Sequence, residues 1–517
     1  MKCFFPQLLR SPYLNPMKNR SKKLFEPVDP ASNIAQSGIS NAFLENPEKL
    51  FLKNPKKCAF SVFWGKRQWG LFLKNKGFCF LKNIEKPKKV WYNDYDLLEE
   101  ECMKPLKGAC IFGQSGGPTA VINASAAGVF LEAMKHDCIT DIYGAEYGIK
   151  GVLEEKLVDI RQEDVKELEL LKNTPSSILG SVRYKLKPFN VDDSDYVRIL
   201  EVFKKYNVRY FFYNGGNDSM DTCNKISKYL QAQNYECNII GVPKTIDNDL
   251  HGTDHTPGYG SAARYVATTV MELFHDTHVY NTPLVCIVEV MGRNAGWLTA
   301  AASLANLRGC GPDLLYLPEI PFDVDEFVSD VKEVLARKRH VFIVISEGIK
   351  DYSGKYISEY LVSLKRDSFG HAQLGGVATV LAGIISDQLN QIKVRPIEFS
   401  LLQRCAAHIA SGTDIEEAFQ AGVMAVRYAI EGHTDKMVVF KRDQTSKEYK
   451  INYELLDLEH CANTERMVPK SWIKSDRTGL TDDFTAYALP LIQGENNAPY
   501  ENGLPRYAQL KKVYVKK

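Results

Sequence analysis

The chain has 517 residues, 44% of them apolar and 25% charged, with a net charge of +2. That length accommodates two or more domains, and the near-neutral balance gives no sign of a nucleic-acid partner. The twelve cysteines form no C-x-x-C pair, which reads as reduced thiols in a cytoplasmic protein, and no apolar run reaches the roughly 18 residues of a membrane span.

The charge is unevenly spread. Residues 1–102 hold 18 Lys and Arg against 10 Asp and Glu, a net +8, which leaves −6 for the other 415. This segment is rich in Lys, Asn and Phe, broken by prolines and weakly periodic, as in "KNPKKCAFSVFWGKRQWGLFLKNKGFCFLKN". It reads as a basic, poorly ordered extension or as sequence outside the working protein, with Met103 a sufficient start. A basic targeting arm is the rival reading. The opening "MKCFFPQLLRSPYLNP" is too short and too Pro-broken for a secretory signal.

From Met103 the text changes. "GACIFG" predicts a short buried strand, and "QSGGPTAVINASAAGVFLEAM" a Gly-rich turn that opens a helix. "VRYFFYNGGNDSMDTCNKISKYL" repeats the device, with a strand to Tyr213 and a turn at Gly215-Gly216. "NIIGVPKTIDNDL" is a third strand and loop, "PLVCIVEVMGRNAGWLTAAASLA" a fourth, and "HVFIVISEGI" a fifth. Strands alternating with helices imply βα units and mostly parallel sheet, with ligands at the strands' C-terminal ends.

The loops carry the chemistry. Glycines such as Gly113, Gly116 and Gly117 let backbone N–H groups approach a phosphate at a helix N-terminus. No Gly-Lys-Ser/Thr follows, so this is not a Walker A loop. Alone, such a turn is equally a structural one. "NGGNDS" repeats the arrangement and sets Asn217, Asp218 and Ser219 beside it. "PKTIDND" is more telling. One carboxylate can accept a proton from an attacking hydroxyl, the other can hold a metal or orient the first, and Lys244 supplies charge toward a phosphate. Arg293 follows a strand on a Gly turn, Glu347 sits at another strand end, and Arg395 and Arg404 lie nine residues apart. Arginines suit phosphate through their planar fork, although each alone is equally a surface charge.

Taken in this order, "GGxxS", "TIDND" and "MGR" resemble the phosphofructokinase family, from about Gly108 to about Ala410. The resemblance implies two Rossmann-like lobes with mostly parallel sheets and an active site in the cleft between them. It implies a donor lobe over 103–258, a sugar-phosphate lobe over 259–402, and a C-terminal segment, 403–517, that returns to the lobes and ends in a tail. Asp247 matches the proton acceptor for the sugar 1-hydroxyl, with Thr245 and Ile246 as substrate-contacting neighbours. Asp249 matches the second carboxylate, near the metal. Met291, Gly292 and Arg293 match the sugar-phosphate segment, Glu347 the acid that holds sugar hydroxyls, and Arg395 and Arg404 the pair that grips the 6-phosphate, one of them from a neighbouring subunit in the family's oligomers. Gly116 and Gly117 match the donor-phosphate glycines, and Arg183 the arginine that approaches the donor.

Family members that use ATP have Gly where this chain has Asp218 and Lys244, so the match is to the pyrophosphate-dependent branch. The implied reaction is reversible and Mg²⁺-dependent, from pyrophosphate to fructose 6-phosphate, in a homo-oligomer (dimer or tetramer). An ATP-dependent enzyme and a catalytically silent sugar-phosphate-binding subunit are the alternatives. Two positions depart from the pattern. Asn217 stands where the Mg²⁺-linked acid is usual, so the metal falls to Asn217, Asp218 and Asp249. Leu284 stands where many ATP-using bacterial members have Arg.

Overall fold

The computed structural model describes the strands within 60–81 and residues 105–360, 376–389, 392–461 and 465–516. The chain divides into two compact units, Met1–Glu99 and Glu100–Lys517. In the first, β1 (Phe60–Gly65), β2 (Gln68–Leu73) and β3 (Gly77–Leu81) form an antiparallel sheet in that order. The sequence showed no periodicity strong enough to mark these strands. Short runs of Phe, Val, Trp and Leu punctuated by Gly favour hairpins, a signal that the Lys-Asn-Pro composition around them obscures. The remainder of 1–104 lies outside the described residues.

The second unit is α/β. Its larger sheet draws β4 (Gly108–Gln114), β5 (Ile139–Ala145), β6 (Leu157–Asp159), β7 (Val208–Gly215), β8 (Asn238–Pro243), β13 (Lys436–Arg442) and β14 (Ile451–Asp457) into the order β14-β13-β8-β7-β4-β5-β6. The five central strands run parallel, and β6 and β14 pair antiparallel at the edges. The smaller sheet is β10 (Leu314–Tyr316), β11 (His340–Ser346), β9 (Leu284–Val290) and β12 (Lys393–Glu398), all parallel. The five strands expected from sequence are β4, β7, β8, β9 and β11.

These strands are buried along their whole length because both faces are covered. In β4, Ala109 and Ile111 enter one apolar cluster while Cys110 and Phe112 enter another. In β9, Val285 and Ile287 face one way and Cys286, Val288 and Val290 the other. Period-two alternation in an all-apolar strand is what a doubly covered sheet needs. Of the long helices, α1 (Ile122–Ala133), α2 (Ser194–Lys205), α3 (Asn217–Ala232), α4 (Tyr259–His278), α5 (Val324–Arg337), α6 (Val377–Gln388) and α7 (Gly412–Ile430), α1 and α7 lie backbone to backbone. A Cβ on Gly128 would stand 2.1 Å from the Phe419 carbonyl oxygen, and one on Gly422 would stand 2.2 Å from that of Ser125. Among the described residues, no helix is long and apolar enough to cross a membrane.

β4 has β5 on one side and β7 on the other, so the loops leaving β4 and β7 turn apart and open a crevice above their C-terminal ends. β9, flanked by β11 and β12, does the same in the smaller sheet. Such switch points are where open α/β sheets bind ligands.

The chain leaving β8 is anchored by buried charge. The His255 ring sits between Asp254 Oδ1 (2.8 Å from Nδ1) and Glu417 Oε2 (2.7 Å from Nε2). The Tyr449 hydroxyl donates to Glu417 Oε1 at 2.6 Å, and Arg442 donates to Asp254 at 2.9 Å. Burial works against a charged ring, but the two carboxylates outweigh it and raise His255 to about 9. An unfolded histidine titrates near 6.5. The charged ring therefore stabilises the fold fully below that pH, and its contribution is lost as pH rises through about 9. We expect the unfolding midpoint to fall more steeply between pH 6.5 and 9.5 in the wild type than in His255→Asn. Equal slopes by thermal denaturation would mean that the ring is neutral.

Candidate active site

The crevice of the larger sheet is built from two glycine turns. After β4 the chain runs through Ser115, Gly116 and Gly117. A Cβ on Gly116 would stand 2.7 Å from Arg183 Cγ, so glycine is what lets that arginine lie against the turn. Gly117 has φ +75°, a left-handed conformation that glycine adopts freely. After β7, a Cβ on Gly215 would meet the hydroxyls of Ser219 (2.0 Å) and Ser115 (2.2 Å). Those hydroxyls are hydrogen-bonded at 2.7 Å, which ties the two turns together. Helix α3 starts at Asn217, directly after Gly216, and Asp218 occupies its first turn.

The third loop leaves β8, the neighbour of β7 on the side away from β4. The Lys244 amine donates to the Gly116 carbonyl at 2.8 Å and is 4% exposed. Burial lowers its pKa to about 8, against the opposing pull of Asp247 and Asp249. The Thr245 hydroxyl accepts from the Asp247 N–H at 3.1 Å. Asn248 is buried with φ +55°, a turn that sets Asp247 and Asp249 on either side of it. Burial raises Asp247, with Lys244 and Arg293 pulling the other way, and burial together with Asp247 raises Asp249 to about 7.

The smaller sheet supplies the opposite wall. Gly292 has φ +144°, and its N–H donates to Glu347 Oε1 at 3.3 Å. A Cβ on Gly348 would stand 2.0 Å from the Arg293 carbonyl oxygen, so the turns after β9 and β11 also touch. Burial raises Glu347 to about 7, and the charges of Asp247 and Arg293 both reach it. Arg293 Nε is buried with no hydrogen-bond partner, an unmet donor in this wall. The Met291 N–H donates to the buried Gln403 side chain at 3.2 Å, which seats the turn carrying Arg404. Arg404 in turn faces Arg183, Lys244 and Asp247 electrostatically.

Lys244, Asp247, Asp249, Arg183, Arg293, Glu347 and Arg404 are thus brought together, while Arg395 and the Ile246 side chain lie apart from them. Arg395 lies in β12 opposite Cys286, roughly 13 Å before the end of β9. It is paired with Asp276 and the Tyr280 hydroxyl near the far end of α4. The start of that helix is at the cleft, about 25 Å away. A strand fixes where a side chain can reach, so Arg395 and Arg404 are kept apart within one chain, which leaves room for the expectation that one of the pair serves a neighbouring subunit. Ile246 turns its side chain into the apolar cluster with Tyr259 and Trp297 and presents no side chain to a ligand. It is the one apolar residue of its loop and follows the core.

Sequence reasoning missed Glu465 and Arg466. Glu465 pairs in a bridge with Leu250, accepts from the Asn294 amide at 2.9 Å, and faces Asp247 and Asp249. The Arg466 N–H donates to the Asp249 carbonyl at 2.8 Å. More than 200 residues separate them from the loop they cover, and no local motif marks them.

Among the described residues, no three His, Cys, Asp or Glu side chains are grouped to hold a metal. One feature nevertheless fits a cation. The Asn217 Nδ2 donates to Asp249 Oδ2 at 3.2 Å, while its Oδ1 is buried with no partner. An unpaired acceptor beside a carboxylate suits a divalent ion that takes its other ligands from phosphate and water.

The phosphofructokinase family matches residues 110–395, more than half of the sequence. The chain belongs to that family. A pyrophosphate–fructose 6-phosphate 1-phosphotransferase of Halomonas elongata is 42% identical over 410 residues, covering 78% of this chain and 97% of that protein. One of Xanthomonas campestris pv. campestris is 43% identical over 417 residues, covering 79% and 98%. The crystal structure of a pyrophosphate-dependent phosphofructokinase from Nitrosospira multiformis superposes with a TM-score of 0.72 at 39% identity, covering 80% of this chain and 98% of that one.

The burial of Lys244 has a direct test. In protein carrying ¹³C-ε-labelled lysine, one resonance should titrate near pH 8 and disappear in Lys244→Arg. A Lys244 midpoint above pH 10 would mean that the amine is fully solvated.

Proposed function

We propose that the protein catalyses reversible, Mg²⁺-dependent transfer of a phosphoryl group from pyrophosphate to the 1-hydroxyl of fructose 6-phosphate. The observation that carries this reading is the single loop that sends Lys244 to the Gly116–Gly117 turn and Asp247 toward Arg293 and Glu347. A donor phosphate on the glycine turns and a sugar on the opposite wall would meet across that loop. Residues 103–258 would then form the donor lobe and 259–402 the sugar-phosphate lobe, with 403–517 returning to both.

Asp247 accepts the proton of the sugar 1-hydroxyl, and burial makes it a stronger base than an exposed aspartate. Thr245 holds the Asp247 backbone in place. Lys244 and Arg183 offset charge on the donor phosphates at Gly116 and Gly117, while Arg293 and Arg404 bind the sugar phosphate and Glu347 binds sugar hydroxyls. Asn217, Asp249 and Asp218 would hold Mg²⁺, which would supply positive charge against the phosphates. Asp218 also favours pyrophosphate over ATP, because its carboxylate repels an additional phosphate. Positioning and charge, more than covalent chemistry, account for the rate.

Arg395 cannot reach its own chain's cleft from the far end of α4. In this reading it serves a neighbouring copy, and the enzyme is a homo-oligomer, a dimer or tetramer. The free cysteines at Cys110, Cys223, Cys286 and Cys405 support a cytoplasmic location.

Side-by-side assays test the donor. Fructose 6-phosphate should be phosphorylated with Mg²⁺-pyrophosphate and not detectably with Mg²⁺-ATP; turnover on ATP alone would sink the pyrophosphate reading. A second experiment addresses the base. Asp247→Ala should lower kcat by about 10²–10⁴, with far smaller change in KM for fructose 6-phosphate. Turnover within a few-fold of the wild type would assign the proton to another residue.

A further inference from the structure

The loop carrying Asp247 and Asp249 is held from behind by a segment far along the chain. Tyr487 lies in the short helix Asp482–Ala488, 239 residues beyond Asn248. Its buried hydroxyl accepts from Asn248 Nδ2 at 2.8 Å and from Arg466 Nη1 at 3.2 Å, and donates to the Asp254 carbonyl at 2.9 Å. One donation and two acceptances exhaust a phenol's usual capacity. The other end of the Asn248 amide is also engaged, since its Oδ1 accepts from the Thr256 N–H at 3.1 Å. Arg466 completes the support. Its N–H donates to the Asp249 carbonyl at 2.8 Å, its Nη1 lies 3.5 Å from the Asn248 carbonyl, and its guanidinium rests 4.2 Å from the Trp297 ring centroid. The Trp297 indole N–H returns to the Arg466 carbonyl at 2.9 Å.

Asn248 is the pivot. It is fully buried with φ +55°, a conformation that persists when its surroundings fix it. A small rotation there would swing Asp247 and Asp249 together, since each is its direct neighbour. The groups that fix it come from Tyr487 and Arg466 on one side and Thr256 on the other. The Tyr487 ring is separately packed among Trp297, Trp472 and Phe484, so its hydroxyl contributes something that packing does not.

We infer that Tyr487 and Arg466 are positioning residues that hold the Asp247–Asp249 turn in its reactive geometry through Asn248. Both act on the Asp247–Asp249 turn through Asn248 and the main chain. The inference rests on the reading of Asp247 as proton acceptor.

The test is a kinetic cycle on the full chain, run well below the unfolding midpoint of each variant. Tyr487→Phe deletes one oxygen and keeps the packed ring. It should lower kcat about tenfold to a hundredfold, the scale of a displacement of about 1 Å at the reacting groups, with KM for fructose 6-phosphate and for pyrophosphate within about threefold of wild type. Asn248→Gly, which keeps the left-handed turn and removes the amide, should lower kcat similarly. Combining the two should cost little more than the worse single change, because both break one link. A kcat within twofold of wild type for Tyr487→Phe overturns the inference, as does full additivity with Asn248→Gly. If Tyr487→Phe does not fold, Arg466→Lys, which keeps the charge and the main-chain bond but not the flat guanidinium, is read by the same kcat and KM criteria. Asp247→Asn separates the two ideas. If it is inactive while Tyr487→Phe is fully active, only the positioning role falls; if it remains active, the reading of the loop falls and the positioning role with it.

Discussion

The site depends on a buried ammonium whose hydrogen bond goes to a main-chain carbonyl. Lys244 reaches the Gly116 oxygen across 128 residues of chain, and its low exposure pushes its pKa down toward neutrality. Had a carboxylate closed on it, the cation would be spent on an internal ion pair. The glycine turn gives the amine an acceptor that offers no full charge in return. The attraction left over is available to an anion on the same turn, where N–H groups and the start of α3 add to it. The tied hydroxyls of Ser115 and Ser219, and the glycines at 116 and 215 that admit Arg183 and those hydroxyls, all keep that turn in place.

A second constraint follows from the topology. Loops at strand ends are held at one end only, so a turn that must present two acids at fixed positions needs support from elsewhere. The chain supplies it by returning. Strands β13 and β14 extend the larger sheet beside β8, α7 contributes Glu417 to the buried His255 pair, and 465–487 covers the back of the turn. Support for the Asp247–Asp249 turn therefore comes from residues 417–487, although the turn itself lies in the first half of the second unit.

This division explains what the sequence made legible. βα punctuation exposed β4, β7, β8, β9 and β11, because apolar runs ending in Gly-rich polar turns are a local signal. The groups riding on those turns, Lys244, Asp247, Asp249, Arg293 and Glu347, were therefore found. Edge strands hid better. β12 carries Lys, Arg, Pro and Glu among its six residues and is partly exposed, so it has no apolar run to detect, and Arg395 was placed by the family resemblance without the strand that carries it. Ile246 was read through its neighbours, when hydrophobicity alone sends it to the core. Glu465, Arg466 and Tyr487 act through contacts more than 200 residues away in sequence, where neither periodicity nor motif carries information. In 60–81 the strands were masked by the cationic composition around them.

The charge balance of the cleft bears on Asn217, proposed above to help hold a metal. Lys244, Arg183, Arg293 and Arg404 stand against Asp247, Asp249, Glu347 and Glu465, with Asp218 at the start of α3 a further carboxylate. An aspartate at 217 would add one more negative charge beside Asp249, whose pKa already rises to about 7 from burial and from Asp247. Two adjacent acids would resist ionising together, and one would carry a proton that a metal must displace. The amide avoids this. It gives Asp249 a donor through Nδ2 and keeps a neutral oxygen open. A divalent ion settling there would draw charge compensation from the phosphates it accompanies, so its affinity would be coupled to the presence of the donor. In the proposed metal site, a neutral ligand in place of a charged one would trade standing metal affinity for dependence on the metal–phosphate pair, which would suit a site where ion and donor arrive and leave together.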